Sequence, residues 1–334
     1  MFVSTIPADT AATQTPPAPP GSSPLRDWFT ALRPRQWAKN VVVFAGLLFA
    51  GKVAHPRELL FQDLPLLLVG FVVFCAFSSV GYLINDVLDR EKDRAHPKKR
   101  FRPIASGRIQ PAAAIAMAII IALLGTLISY QLKPVTPWHH TFFWEHAFLW
   151  VALAYLVETV TYSLFLKHQV ILDLMTIPAG FLLRALAGTT LLGVQLSSWL
   201  FVCLMLVTLL VAIGKRLHEL NLLVESGQEH RPVLADYSRP FLDHALSMAA
   251  AAAAVSYSVY CLTSPTAQGA PGMRAHPALV FTVPVVLYSL LRYMYLVLHA
   301  DQGGQPEDIF LADRPMQIAI LVWTVMAVGI FMWK

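Results

Sequence analysis

The chain has 334 residues, 56% of them hydrophobic and 13% charged, with a mean hydropathy of +0.57 and a formal net charge of +5. A length that would ordinarily give two soluble domains is here committed to a bilayer, because so apolar a composition exceeds what a water-facing surface carries. The positive balance is no nucleic-acid signature, since the basic residues gather in short loops between apolar runs.

Residues 1–24 are rich in Pro, Ala, Thr and Ser, carry no Lys or Arg, and contain no long apolar run. They read as a disordered tail and not as a signal peptide. Residues 25–334 form one helical membrane domain with no soluble domain inside it. Nine apolar segments are predicted, at 38–52, 64–86, 111–131, 146–166, 170–192, 197–214, 241–263, 277–298 and 315–333. The first is short for a span and starts inside a polar motif.

Loop charge sets the orientation. With the N-terminus inside, nineteen Lys or Arg fall at cytoplasmic ends, and five (Lys52, Arg57, Lys133, Arg274 and Lys334) fall on the other side. That asymmetry predicts a multi-pass inner-membrane protein with its N-terminus and polar helix ends in the cytoplasm.

Before the first segment lies LRPRQWAKN, supplying Arg33, Arg35, Gln36, Lys39 and Asn40 around Trp37. It is either a basic membrane anchor with an interfacial Trp or part of a binding site. The second segment runs into YLINDVLDREKDRAHPKKRFRPIASGRI, residues 82–109. On a helix, Asn85, Asp86, Asp89 and Asp93 project at about 0°, 100°, 40° and 80°, so the four share one face. Arg94, Lys98, Lys99, Arg100, Arg102 and Arg108 follow, with Pro97 and Pro103 ending the helix. Carboxylates so spaced suit a hard divalent cation that keeps phosphate oxygens as further ligands, and the adjacent cations suit the rest of the phosphate charge. A solvated basic loop explains Lys98 to Arg102 but not three aspartates at the mouth of an apolar helix.

After the fourth segment comes YSLFLKHQVILDL, with Tyr162, Lys167 and Asp173. Asp173, Gly180 and Arg184 then fall on one stripe of the fifth segment. Asp173 and Arg184 are eleven positions apart, roughly 16 Å of helix and too far for direct pairing, so a polar cavity with other partners is expected. The sixth segment ends in GKRLHEL, where Lys215 and Glu219 are one turn apart and Arg216 is adjacent. These form either a surface pair or the second half of an anion and metal site. Arg231 and Tyr237 follow. The last cytoplasmic loop carries a Gly303-Gly304 turn with Glu307, Asp308 and Asp313, which reads equally as a lid and as a plain solvated loop.

Cys75, Cys203 and Cys261 lie in apolar stretches with no metal-like spacing, and the eleven histidines show no zinc pattern. Residues 249–254 are an alanine run suited to close helix packing. No P-loop, dinucleotide fingerprint or Ser/His/Asp arrangement is present. A transporter would thread charge through the bilayer in paired broken helices, which this chain does not.

The aspartate stretch after the second segment resembles the first aspartate-rich motif of the UbiA-type intramembrane prenyltransferase superfamily. Together, LRPRQWAKN, NDVLDREKDRAHPKKRFRPIASGRI, YSLFLKHQVILDL with GFLLRALAG, GKRLHEL and the GGQPEDIFLADR loop resemble its decaprenyl-phosphate phosphoribosyltransferase branch, over about residues 30–333. The resemblance implies nine helices around a cavity open to the cytoplasm and to lipid. It implies phosphoribosyl diphosphate as donor and a polyprenyl phosphate as acceptor, for cell-wall or glycolipid precursors. Mg2+, or Mn2+, would be held by Asp86, Asp89 and Asp93. Lys39, Lys99, Arg100, Lys167, Lys215 and Arg216 are candidates for phosphate contacts, with Tyr162 beside them. Asn40, Asn85, Arg102 and Arg184 join the substrate-binding set, and Glu219 would assist at metal or ribose hydroxyls. Lys215 and Arg216 replace acids that the superfamily usually has at its second motif, which favours a donor with a second phosphate over a prenyl diphosphate. A prenyltransferase acting from prenyl diphosphate on an aromatic acceptor is the alternative. Membrane lipid is a partner, nucleic acid is not, and self-association into a homo-oligomer is compatible with the sequence.

Overall fold

A computed structural model of the chain describes residues 23–49, 59–134, 142–194, 196–226, 232–263, 276–299 and 312–332. Among these residues the regular structure is all helical, and eight helices are long and apolar enough to cross a membrane.

A short helix α1 (Pro24–Leu32) begins at Ser23, whose hydroxyl accepts the Arg26 N–H, and ends at Arg33 in a left-handed conformation. The first predicted segment is not a regular span. It forms a 3₁₀ helix over Pro34–Phe44 and a short α2 (Ala45–Phe49), and its end at 50–52 falls outside the described residues, as do Lys52 and Arg57. Leu59–Asp63 makes a wide turn into α3 (Leu64–Leu88), followed by α4 (Arg90–Ala95) and α5 (Pro111–Gln131). The short α6 (Phe142–Glu145) precedes α7 (Ala147–Leu164) and α8 (Leu172–Leu192), which Gly193 caps at φ 64°. Then come α9 (Ser198–Ser226), α10 (Arg239–Thr263), α11 (Val283–His299) with a 3₁₀ turn before it at Pro277–Thr282, and α12 (Arg314–Met332). The sequence ends the sixth segment at residue 214, but α9 runs twelve residues further, because its polar groups find partners inside the protein.

Lipid tails are as apolar as the helices, so burial against hydrocarbon gives little drive for one helix to meet another. Close backbone approach and hydrogen bonds do that work. α3 packs on α5, α7 and the 34–44 segment, α8 packs on α7, α9 and the same segment, and α9 packs on α10. A Cβ at Gly188 of α8 would overlap the Val43 carbonyl, and one at Gly81 of α3 would overlap the Thr159 methyl of α7. Ala249, Ala250 and Ala253 of the alanine run are buried in a core shared with Leu210, Ile213 and Tyr293. A second core joins Val43, Phe74, Phe77, Phe148 and Leu191. These approaches hold the 34–44 segment, α3, α7 and α8 around the polar residues.

Candidate active site

The aspartate stretch does not continue as one helix. α3 closes at Leu88, Asp89 takes φ −89° and ψ 7° while giving its N–H to Asn85 O, and α4 restarts at Arg90. The predicted face survives as two pairs. Arg102 Nη1 lies 3.1 Å from Asp86 Oδ1 and 2.7 Å from Asp93 Oδ2, and Arg33 Nη2 also donates to Asp86 Oδ1. On the other side, Lys167 Nζ is 3.0 Å from Asn85 Oδ1 and 2.9 Å from both Asp89 carboxylate oxygens.

Local folding brings each cation there. Residues 99–109 fold into a compact turn in which Ile109 N–H bonds Pro103 O and Gly107 adopts φ 82°. Pro103, Ile104 and Ala105 are buried beneath it, and Arg94 Nε holds Ala105 O at 3.0 Å. Arg108 Nε ties the turn to Asp27 of α1 at 2.9 Å. Arg102 is thereby turned back onto the carboxylates. Lys99 is half-buried on this turn, while Arg100 is exposed with its guanidinium over the Phe101 ring.

Lys167 sits on a 3₁₀ turn (Leu166–His168) between α7 and α8. That connection ends at Ile171, which has φ 69°, an unfavourable backbone for a β-branched residue. Its N–H donates to Tyr237 Oη at 2.7 Å, and Tyr237 in turn donates to Asp173 Oδ1 at 2.6 Å. Burial, and then the bond to Asp173, push the Tyr237 hydroxyl above the usual phenol range, so it stays a donor. Arg216 Nε bonds Asp173 Oδ2 at 2.8 Å and its Nη1 bonds Glu219 Oε2 at 2.7 Å.

Arg216 is 1% exposed and Asp173 0%. Glu219 is thus bridged by Arg216, and one guanidinium is taken up by two carboxylates. Lys215 and Tyr162 are half-buried beside it. Arg231 lies outside the described residues.

Deeper along the bundle, Arg184 and Asp173 do have separate partners, as the helix spacing requires. Arg184 Nε donates to Asn40 Oδ1 and Nη2 to Tyr155 Oη, both at 2.7 Å, with the guanidinium stacked 4.7 Å above the Tyr155 ring. Asn40 is fully buried and its amide also reaches Cys75 and Ser78. Trp37 donates to Ser79 Oγ at 3.0 Å, so it is packed onto α3, and Lys39 is half-buried. In the last loop, Asp313 pairs with Arg292 and accepts the Met316 N–H, which makes it the cap of α12; Glu307, Asp308 and the Gly303-Gly304 turn lie outside the described residues.

Sequence reasoning passed over Tyr82, Tyr155 and Glu158, and gave Arg33 no role beyond its basic motif. The available signal was Glu158, an acid in the middle of an apolar helix.

Among the described residues no three His, Cys, Asp or Glu side chains are grouped to hold a metal ion. The donor chemistry nonetheless suits a hard divalent cation. One nitrogen cation already lies between Asp86 and Asp93, and another lies among three oxygens of Asn85 and Asp89.

Residues 40–313 match the UbiA prenyltransferase family. The chain is 34% identical to a decaprenyl-phosphate phosphoribosyltransferase of Mycolicibacterium smegmatis, across 92% of this chain and 93% of that one. It is 32% identical to the decaprenyl-phosphate phosphoribosyltransferase of Corynebacterium glutamicum, across 98% and 95%. A UbiA homolog from Archaeoglobus fulgidus, solved with GPP and Mg2+, superposes with a TM-score of 0.66 at 15% identity, covering 91% of this chain and 99% of that one. Family match and fold agree with each other, and the chain belongs to the UbiA prenyltransferase family.

Proposed function

We propose that this chain is a polyprenyl-phosphate phosphoribosyltransferase, moving 5-phosphoribosyl from phosphoribosyl diphosphate to a decaprenyl-type phosphate and releasing diphosphate. Near full-length similarity to two enzymes named for that reaction carries the reading. The site supports it, because polar groups continue from Asp86 down α3 and its neighbours through Tyr82, Ser78, Asn40, Tyr155 and Arg184. A sugar phosphate finds partners along such a seam, whereas a prenyl chain finds none.

The reaction breaks the bond between C1 and the diphosphate oxygen and forms one from C1 to an oxygen of the lipid phosphate. The nucleophile is already anionic, so no strong base is required. Orientation and charge stabilisation at the leaving group are what the protein must supply. Asp86, Asp89 and Asp93 would hold Mg2+, which neutralises charge on a leaving diphosphate when bound. Lys167, Arg102 and Lys215, with Lys39, Lys99 and Arg100 at the same helix ends, would meet phosphate oxygens. The catalytic domain spans 25–334, and its site faces the cytoplasm, where the basic ends gather. Incubating purified protein with polyprenyl phosphate, Mg2+ and phosphoribosyl diphosphate should yield a lipid heavier by one phosphoribosyl group. Absence of that product, with a prenylated acceptor formed from geranyl diphosphate instead, overturns the reading.

A further inference from the structure

Below Asp86 the polar seam ends in a feature that the aspartate chemistry does not use. Gly180 of α8 faces Glu158 of α7 and lies one turn before Arg184. A Cβ at Gly180 would stand 3.2 Å from Arg184 Nη1 and 3.4 and 3.5 Å from the two Glu158 carboxylate oxygens. The missing side chain therefore leaves a gap with a guanidinium on one edge and a carboxylate on the other.

Both edges keep unused capacity. Arg184 is only 9% exposed, and Asn40 and Tyr155 occupy its Nε and Nη2. Its Nη1 makes no hydrogen bond to a described residue. Glu158 Oε2 accepts from Thr159 Oγ1 at 3.2 Å, and Oε1 accepts from no described residue. Both atoms keep some exposure to solvent. The two side chains form no direct ion pair across the gap. The Asn40 and Tyr155 bonds, with the Tyr155 and Phe181 rings stacked on the guanidinium, fix Arg184 and stop it from closing onto Glu158.

A donor and an acceptor held apart in an apolar helix layer call for a ligand that offers both functions. A hydroxyl does so, and two adjacent hydroxyls can bridge the pair. A phosphate would meet the Glu158 carboxylate with like charge, and a prenyl chain would leave both groups unpaired at substantial cost. We infer that Glu158 Oε1 and Arg184 Nη1, facing each other across Gly180, form a subsite that reads the vicinal hydroxyls of the donor pentose. The subsite lies beyond Tyr82, which is one turn from Asp86 on α3 and carries the Arg33 guanidinium on its ring. It deepens the phosphoribosyl reading and rests on it.

The test measures binding of phosphoribosyl diphosphate, its 2-deoxyribosyl counterpart, geranyl diphosphate and inorganic diphosphate to full-length protein in nanodiscs with Mg2+. Wild type should prefer the ribosyl over the deoxyribosyl donor by about 10- to 100-fold, the value of a hydrogen bond to a charged group. Glu158→Gln should lose most of that preference while binding inorganic diphosphate as wild type does. Gly180→Ala fills the gap without changing a charge and suits a helix, and it should lose the same preference should Glu158→Gln not fold. A wild-type preference retained in both variants overturns the subsite alone. Wild-type binding of geranyl diphosphate with none of either pentose donor overturns the phosphoribosyl reading and the subsite with it.

Discussion

Lys167 and Asp89 are 78 residues apart in sequence, and the lysine ammonium sits 2.9 Å from both oxygens of the aspartate carboxylate. Asp86 and Asp93 are likewise joined through Arg102. Each carboxylate of the motif thus has a cation already, and each cation comes from a turn that folds back from a different loop. In the proposed reaction a metal ion would take the place of a side-chain cation and leave the displaced side chain beside an incoming phosphate.

Lys167→Met tests that arrangement. With Asp89 left without its cation and the phosphate without a donor, kcat/KM should fall by about 10²-fold or more. Circular dichroism and elution in detergent should remain those of wild type. Turnover within a factor of two of wild type would remove Lys167 from the site.

Arg216 should behave differently, because it is buried between Asp173 and Glu219. Arg216→Met leaves the buried Asp173 carboxylate without a cation and with the Tyr237 hydroxyl as its remaining side-chain donor, a loss of roughly 3–5 kcal/mol. Thermal unfolding should register it before any kinetic assay does. An unchanged melting temperature with activity lost would instead make Arg216 a substrate contact.

The backbone crossings give a packing test. Gly188→Ala forces a methyl against the Val43 carbonyl, and a carbonyl cannot rotate away, so a loss of about 1–3 kcal/mol is expected. Gly81→Ala meets only the Thr159 methyl, and Thr159→Ser should restore it. Failure of that rescue would show that the α3–α7 crossing is not limited by this contact.

Asp313 gives a sign for pH. The Arg292 guanidinium, with the Met316 N–H, holds its carboxyl below the usual carboxylate range. A depressed folded-state pKa stabilises above the unfolded value and is lost as pH falls through the folded value. Asp313→Asn should therefore lower the melting temperature at pH 7, with the gap to wild type constant from pH 8 to 6. It should narrow only below about pH 4, where a carboxylate protonates. Narrowing between pH 8 and 6 would place another titrating group in this contact.

Much of the site was legible in the sequence because it is local. The helix wheel puts Asn85 and Asp89 near one angle and Asp86 and Asp93 near another, and the structure divides them along that line despite the break at Asp89. Seven of the spans also follow closely from apolar run length. The break itself, and the 3₁₀ course of residues 34–44, were not legible, since both depend on contacts with distant helices. Arg184 shows the limit most clearly: its stripe on α8 was readable, but its bond to Asn40 spans 144 residues. The same holds for Arg216, whose neighbours in sequence suggested a phosphate ligand and whose neighbours in space are two carboxylates.

The most direct measurement is a competition in one reaction, with polyprenyl phosphate, an aromatic acid, Mg2+ and equal phosphoribosyl and geranyl diphosphates, run on wild type and Asp89→Asn. The account predicts label only in the phosphoribosylated lipid from wild type, and a loss of it in Asp89→Asn. Label in the prenylated acid, or full phosphoribosyl transfer by Asp89→Asn, would contradict it.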